Sequence, residues 1–275
     1  MSLLREISQA GMKSKEPEYP ALKIFKLWTR ELRAKYANSP RVTSIVFRLL
    51  FPEEDPRRVY DMQESRLAQQ LSELLCPRDN RLLSWNEEHS SGCLGQEIKR
   101  VLESTFTVSF FFLLDLIPLI ALQDADNGIS PLSLADVDNL LDELASLSSF
   151  SHVSIRNKFP RHIRRTRKAV LHSLYYTLSP TDACFLTQII LKDLRPVLYP
   201  LPTDHFTVAL KHYNTASVRM LSLFDAMKAW DPSQIMIRTY RVRAVLEDVA
   251  EAFEHGVVPM PQIGSPVEVS DMQQA

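Results

Sequence analysis

Apolar residues in this chain recur at three- and four-residue steps in one segment after another, and no apolar/polar alternation is sustained over a strand's length. That spacing argues for helices packed on helices rather than for a sheet. Only six of the 275 residues are glycine and seventeen are proline, so helix starts and stops at proline are the expected punctuation. With 45% hydrophobic residues the chain can bury a core, as one large or two small domains. The expected class is all-α, a compact multi-helix domain.

The best-specified segment is 179–195, SPTDACFLTQIILKDLR. Ser179 suits the cap, Pro180 the first helical position, and Asp182 the positive end of the helix dipole. Phe185, Leu186, Ile189, Ile190 and Leu194 form a broad apolar face. Gln188, Lys192 and Arg195 fall at i, i+4 and i+7 and are expected to form a polar stripe able to meet an anion.

Along the chain, residues 1–20 mix charge with Pro17 and Pro20 and read as a loose lead-in. Helical spacing is then predicted over 22–37, 42–51 and 60–75, with Arg66 facing water. A flexible surface loop over 78–95 is anchored by Trp85. The apolar run 98–121 is expected to be a helix interrupted near Pro118, and 124–131 a loop. Its stretch 106–122 is barely long enough to span a membrane and carries Asp115, which favours a buried core helix. Ser133 and Asp136 form an acidic capping box; Asp138, Asp142 and Glu143 on the helix it opens read as a solvated face rather than a catalytic or Mg²⁺-binding pair. Helical spacing resumes over 206–230, and Val242 to Phe253 marks a final helix. The tail beyond Gly256 has no apolar period.

A formal net charge of −1 conceals an asymmetry. No carboxylate occurs between Leu144 and Thr181, where Arg156, Lys158, Arg161, Arg164, Arg165, Arg167 and Lys168 all fall. If Pro160 opens a helix, Arg161, Arg164, Arg165 and Lys168 share one face and Val170, Leu171, Leu174 and Leu178 line another; Arg167 projects toward the apolar side. The residues alone leave two readings open, a solvated or nuclear-localisation run and a polyanion-binding surface.

Enzyme templates fail. Gly92 and Gly95 are followed by no Lys-Ser/Thr, so there is no P-loop, and no dinucleotide fingerprint, H-E-x-x-H or G-x-S-x-G occurs. Cys76, Cys93 and Cys184 are scattered, without metal-ligand spacing, which suits a reducing compartment, and the N-terminus lacks the features of a secretory signal. Binding is what remains, and cations on a helical body fit contact with a phosphate backbone.

Several segments together resemble the N-terminal DNA-binding domain of eukaryotic ATP-dependent DNA ligases, most closely the type IV, end-joining branch. They are FRLLFP at 47–52, RVY at 58–60, ESRLA at 64–68, LSLADVDNLLDELA at 132–145 and, most strongly, FLTQIILKDL at 185–194, similar to the family's W-L-I-R-x-I-L-K-D-L. DPS at 231–233 also has a counterpart. The resemblance covers roughly 22–264 and implies an all-helical domain, 21–256, between the lead-in and a linker-like tail at 257–275. It implies a nuclear, monomeric module acting in DNA repair and recombination by end joining, gripping nicked or broken duplex through backbone and minor-groove contacts. Carried over, it places Lys192 and Arg195 at phosphates and Lys158, Arg161, Arg164, Arg165 and Lys168 in the basic helix before them.

Two departures qualify that expectation. The family's glycine after K-D-L is Arg195-Pro196 here, and its W-L-I-R arginine is Gln188, so DNA affinity is expected to be reduced or differently placed. The sequence also contains no Asp-Gly dipeptide and hence no K-x-D-G adenylation site. Self-adenylation is therefore not expected, and ATP and Mg²⁺ are implied only for a separate catalytic domain. Residues 263–266 resemble the start of the linker into that domain; a truncated gene model, a fragment and a stand-alone paralogue all remain open. The alternative is a non-catalytic helical scaffold that binds end-joining repair proteins.

Overall fold

The computed structural model describes residues 2–9, 20–36, 41–75, 80–87, 90–113, 132–198 and 221–257. Among these residues there is no strand. The helices are α1 (Ser2–Gln9), α2 (Pro20–Tyr36), α3 (Val42–Leu50), α4 (Glu64–Leu75), α5 (Leu94–Leu113), α6 (Leu134–Ser146), α7 (Val153–Lys158), α8 (Arg167–Tyr175), α9 (Pro180–Ile190), α10 (Arg195–Leu198), α11 (Leu223–Trp230), α12 (Ile235–Val242) and α13 (Leu246–His255), with short 3-10 turns at Pro52–Glu54 and Arg161–Ile163. The all-α expectation holds. The expected Pro118 interruption, the 124–131 loop, residues 206–220 and the tail beyond 257 lie outside the described residues, and no described helix is long and apolar enough to cross a membrane.

The chain divides into two compact units, residues 58–218 and residues 2–57 with 219–275. In the second unit α1 packs on α2, which packs on α11, while α13 packs on α3 and α12. Residues 2–9, expected as lead-in, thus form a helix that buries Leu3, Leu4 and Ile7. Phe25, Phe47 and Trp230 cluster edge-on and tilted, with ring centroids 5.6 to 6.5 Å apart. Arg48 is buried, and its guanidinium meets Asp55 at 2.9 Å and Glu247 at 2.8 Å. Arg57 spans Glu247 and Asp248 at 2.5 and 2.7 Å.

The expected final helix breaks in two at Arg243 to Val245, because the Val242–Phe253 period crosses extended backbone. At 231–233, the buried Asp231 carboxylate accepts from the amides of Ser233 and Met236, both at 2.9 Å, and fixes the start of α12.

In the first unit α5 packs along α9, and α8 packs on both α4 and α6. The predicted Ser133–Asp136 box forms reciprocally, and Ser179 caps α9 through the Asp182 amide. Trp85 is buried as its anchoring role requires. Helix α9, however, is buried on nearly every side. Gln188 is only 1% exposed, and its Nε2 donates to Cys93 Sγ at 3.3 Å, so the expected polar stripe does not exist. The reason is Gly95: a Cβ there would stand 2.7 Å from the Cys184 carbonyl oxygen, so a bare backbone lets α5 close onto the face where the stripe was expected. Cys93 and Cys184 are free thiols, and burial pushes them up to about 11 and about 12.

Candidate nucleic-acid interface

The cations expected to share one helical face do not. Pro160 and Arg164 are extended, and α8 starts only at Arg167, where Thr166 caps it by accepting from the Ala169 amide at 3.2 Å. A capping threonine therefore overrides proline as the start signal, and Arg161 to Arg165 precede the helix. Arg161 and Ile163 bound a 3-10 turn. Arg164 turns inward, donating to the carbonyls of Phe159 and Arg156 at 2.5 Å each, which satisfies acceptors at the end of α7.

The acids of α6 are likewise not a solvated face. Asp138, Asp142 and Glu143 are buried, because they are the counter-ions of this cationic segment and of Arg58. Lys158 Nζ reaches Asp142 at 2.7 Å and Asn139 at 3.2 Å. Arg165 grips Glu143 in a fork, at 2.9 and 2.5 Å, and donates to Ser173 Oγ at 2.9 Å. Arg58 joins Asp142 at 2.7 Å to Asp138 at 2.5 Å.

These pairings define a pH response. The hydrogen bonds from Arg165 hold the Glu143 carboxyl below its ordinary value of 4.5. A carboxylate depressed in the folded state stabilises above its unfolded value and loses that contribution as pH falls through the folded one. Arg165→Gln is therefore expected to lower the urea midpoint at neutral pH, with the difference from the parent shrinking as the acid range is entered. A difference that stays constant on acidification would contradict the pairing.

Lys192 and Arg195 sit beyond α9. The Lys192 amide donates to Ile189 O at 3.1 Å and the Asp193 amide to Gln188 O at 3.0 Å, the two bonds of a Schellman end, with Lys192 itself left-handed at φ 58°. The residue in the left-handed position is thus lysine, without the glycine usual there. Arg195 returns to Asp193 through Nε and Nη2, at 2.7 and 2.8 Å. Lys168 is exposed in the first turn of α8, with Arg167 beside it.

Sequence reasoning passed over a further cationic hollow. Val59, Tyr60, Asp61, Met62, Gln63, Arg66, Ile190, Leu191 and Lys192 line a cavity of about 580 Å³. The available signal was placement: Arg66 and Arg167 each lie in the first turn of a helix, where the macrodipole disfavours a cation.

The model of the DNA ligase N terminus matches residues 2–198, more than two thirds of the chain. The chain belongs to that family. It is a DNA ligase-related DNA-binding module, and its all-α architecture agrees with that membership. No curated protein matches it. The sequence holds no K-x-D-G.

Proposed function

We propose that this ligase N-terminal module acts in DNA repair and recombination within the nucleus, gripping nicked or broken duplex through its sugar-phosphate backbone and minor groove. The observation that carries the reading is the family match over residues 2–198. It is supported by the carboxylate-free stretch from Leu144 to Thr181 and by Lys168 and Lys192 at helix ends. Such contacts give shape-dependent, sequence-tolerant affinity. Lys158, Arg161, Arg164 and Arg165 belong to the same segment, but Lys158, Arg164 and Arg165 serve first as internal ties; Lys168 and Lys192 are the stronger candidates for direct phosphate contact.

Titrating the full chain with nicked and with intact duplex over a series of salt concentrations tests this. Binding is expected to weaken linearly with log salt, by about 0.9 per neutralised phosphate, and to favour the nick. Lys168→Gln is expected to reduce that slope by roughly one phosphate. Absence of salt-dependent binding by the parent chain would remove the reading.

The second reading is a non-catalytic scaffold that holds end-joining repair proteins. It is favoured by one observation: Lys158, Arg165 and Arg195 all spend their charge on carboxylates of this chain. Retained folding with no duplex affinity is the outcome it requires.

A further inference from the structure

Helix α8 turns one side to the core and another to water. Val170, Leu171, Leu174 and Tyr175 are buried, while Lys168, His172 and Tyr176, at i, i+4 and i+8, are all exposed. The two tyrosines that end the helix have different fates. Tyr175 is taken into the core and shares a hydrogen bond with Thr187 at 2.8 Å. Tyr176, the C-cap residue, stacks its ring on that of His172, with centroids 4.0 Å apart and planes 19° from parallel. It nevertheless stays 63% exposed, so His172 covers one face of the ring and most of the rest meets solvent.

Cations accompany this ring pair. Lys168 lies one turn before His172. Arg165 donates to Ser173 Oγ at 2.9 Å, which lays part of its guanidinium against α8 next to His172, while its remaining donors stay with Glu143. No carboxylate occurs in the sequence from Leu144 to Thr181. Open aromatic faces among cations, with no acid in the same segment, suit a ligand that is flat, aromatic and anionic. A nucleobase on a phosphate chain has that chemistry, and base stacking on aromatic side chains is how single strands are held without regard to sequence. In paired duplex the bases cover one another, so only an unpaired base offers a free face. Lys168 is about 12 Å from Tyr176 along the helix axis, a span of about three to four stacked nucleotides.

We infer that Tyr176, backed by His172, is a stacking platform for an unpaired base, and that α8 thereby selects DNA ends carrying a single-stranded overhang. A base laid on the open face of Tyr176 extends the His172–Tyr176 stack, and Lys168 meets the phosphates of the same strand. The inference rests on the DNA-binding reading and goes beyond it by naming a substrate class, distinguished by a base face rather than by backbone charge.

The test uses the full chain and three DNAs of equal paired length: a blunt duplex, one with an overhang of about six nucleotides, and one whose overhang is abasic, which keeps the phosphates and removes the bases. A 2-aminopurine in the overhang reports stacking through loss of its fluorescence. The base-bearing overhang is expected to bind about five- to a hundredfold more tightly than the abasic one, with quenching on binding. Tyr176→Ala is expected to abolish both effects and leave blunt-duplex affinity unchanged, whereas Tyr176→Phe, which keeps the ring, retains them. Thermal unfolding followed by circular dichroism confirms that each variant is folded, and the comparison of overhangs needs only the parent chain. Equal binding of the base-bearing and abasic overhangs, or an advantage that survives in folded Tyr176→Ala, overturns the inference and leaves the DNA-binding reading intact. A parent chain that binds the base-bearing strand through Tyr176 but no blunt or nicked duplex would remove the duplex-gripping reading and keep the platform. Capture of a polyglutamate peptide through Tyr176, with no response to any overhang, would overturn the inference in favour of an acidic protein partner.

Discussion

Arg58→Ala is expected to lower the stability of the 58–218 unit by about 3–5 kcal/mol, the cost of leaving buried charge without its partner. The guanidinium is 2% exposed and reaches two helical turns of α6 at once. Nε donates to Asp142 at 2.8 Å, and Nη2 donates to both the carboxylate and the carbonyl of Asp138, at 2.5 and 2.8 Å. Alanine would leave both carboxylates in place, in low dielectric, with a void where the guanidinium stood. Lys158 still serves Asp142, so the larger share of the loss is assigned to Asp138. A second variant separates burial from pairing. Arg58→Met with Asp138→Leu removes opposite charges together and is expected to recover most of the stability, because buried ion pairs are often replaceable by apolar residues of similar volume. Urea midpoints measure both. A loss below about 0.5 kcal/mol in Arg58→Ala would place this arginine among ordinary surface charges.

That triad also marks the boundary of what the sequence could disclose. Helix class, the Ser133 and Ser179 caps and the buried side of α9 follow from spacing and local chemistry within a few residues, and all are found. Asp138 and Asp142 could not be read in that way. Their partner Arg58 lies 80 and 84 residues away in the chain, and no period links them. On a wheel an unpaired aspartate and a buried, paired one look alike, so a solvated face was the natural expectation. The same reason hid the pairing of Arg165 with Glu143, which removes two members of apparently opposite surface fields at once. Gln188 failed for a steric reason, since polar character suggested solvent while Gly95 made room for a second helix against it. The hollow at Arg66 and Lys192 draws on α4, the chain before it and the end of α9, and only tertiary structure assembles it.

Gly95→Val is expected to be the most disruptive single substitution on the α5–α9 contact. Glycine in the first turn of α5 has no positive φ to protect, and alanine would by propensity alone favour the helix by about 1 kcal/mol. Space decides against it. The added Cβ would lie 2.7 Å from the Cys184 carbonyl oxygen and 3.2 and 3.3 Å from Cγ and Nε2 of Gln188. The first neighbour is backbone of α9 and cannot rotate away, so the helices must separate; overpacking of this kind costs about 1–3 kcal/mol. Alanine should therefore sit near the lower end of that range after its propensity gain, and valine, with two further methyl groups and a stiff χ1, at or above the upper end. Gln188→Ala in the Gly95→Ala background tells which neighbour resists. It frees the side-chain contacts but leaves the carbonyl, so only partial recovery of the thermal midpoint is expected. Full recovery would mean that the glutamine was the obstacle and that α9 can shift as a body. Since Schellman bonds tie Lys192 to the end of α9, such a shift would also carry that lysine with it.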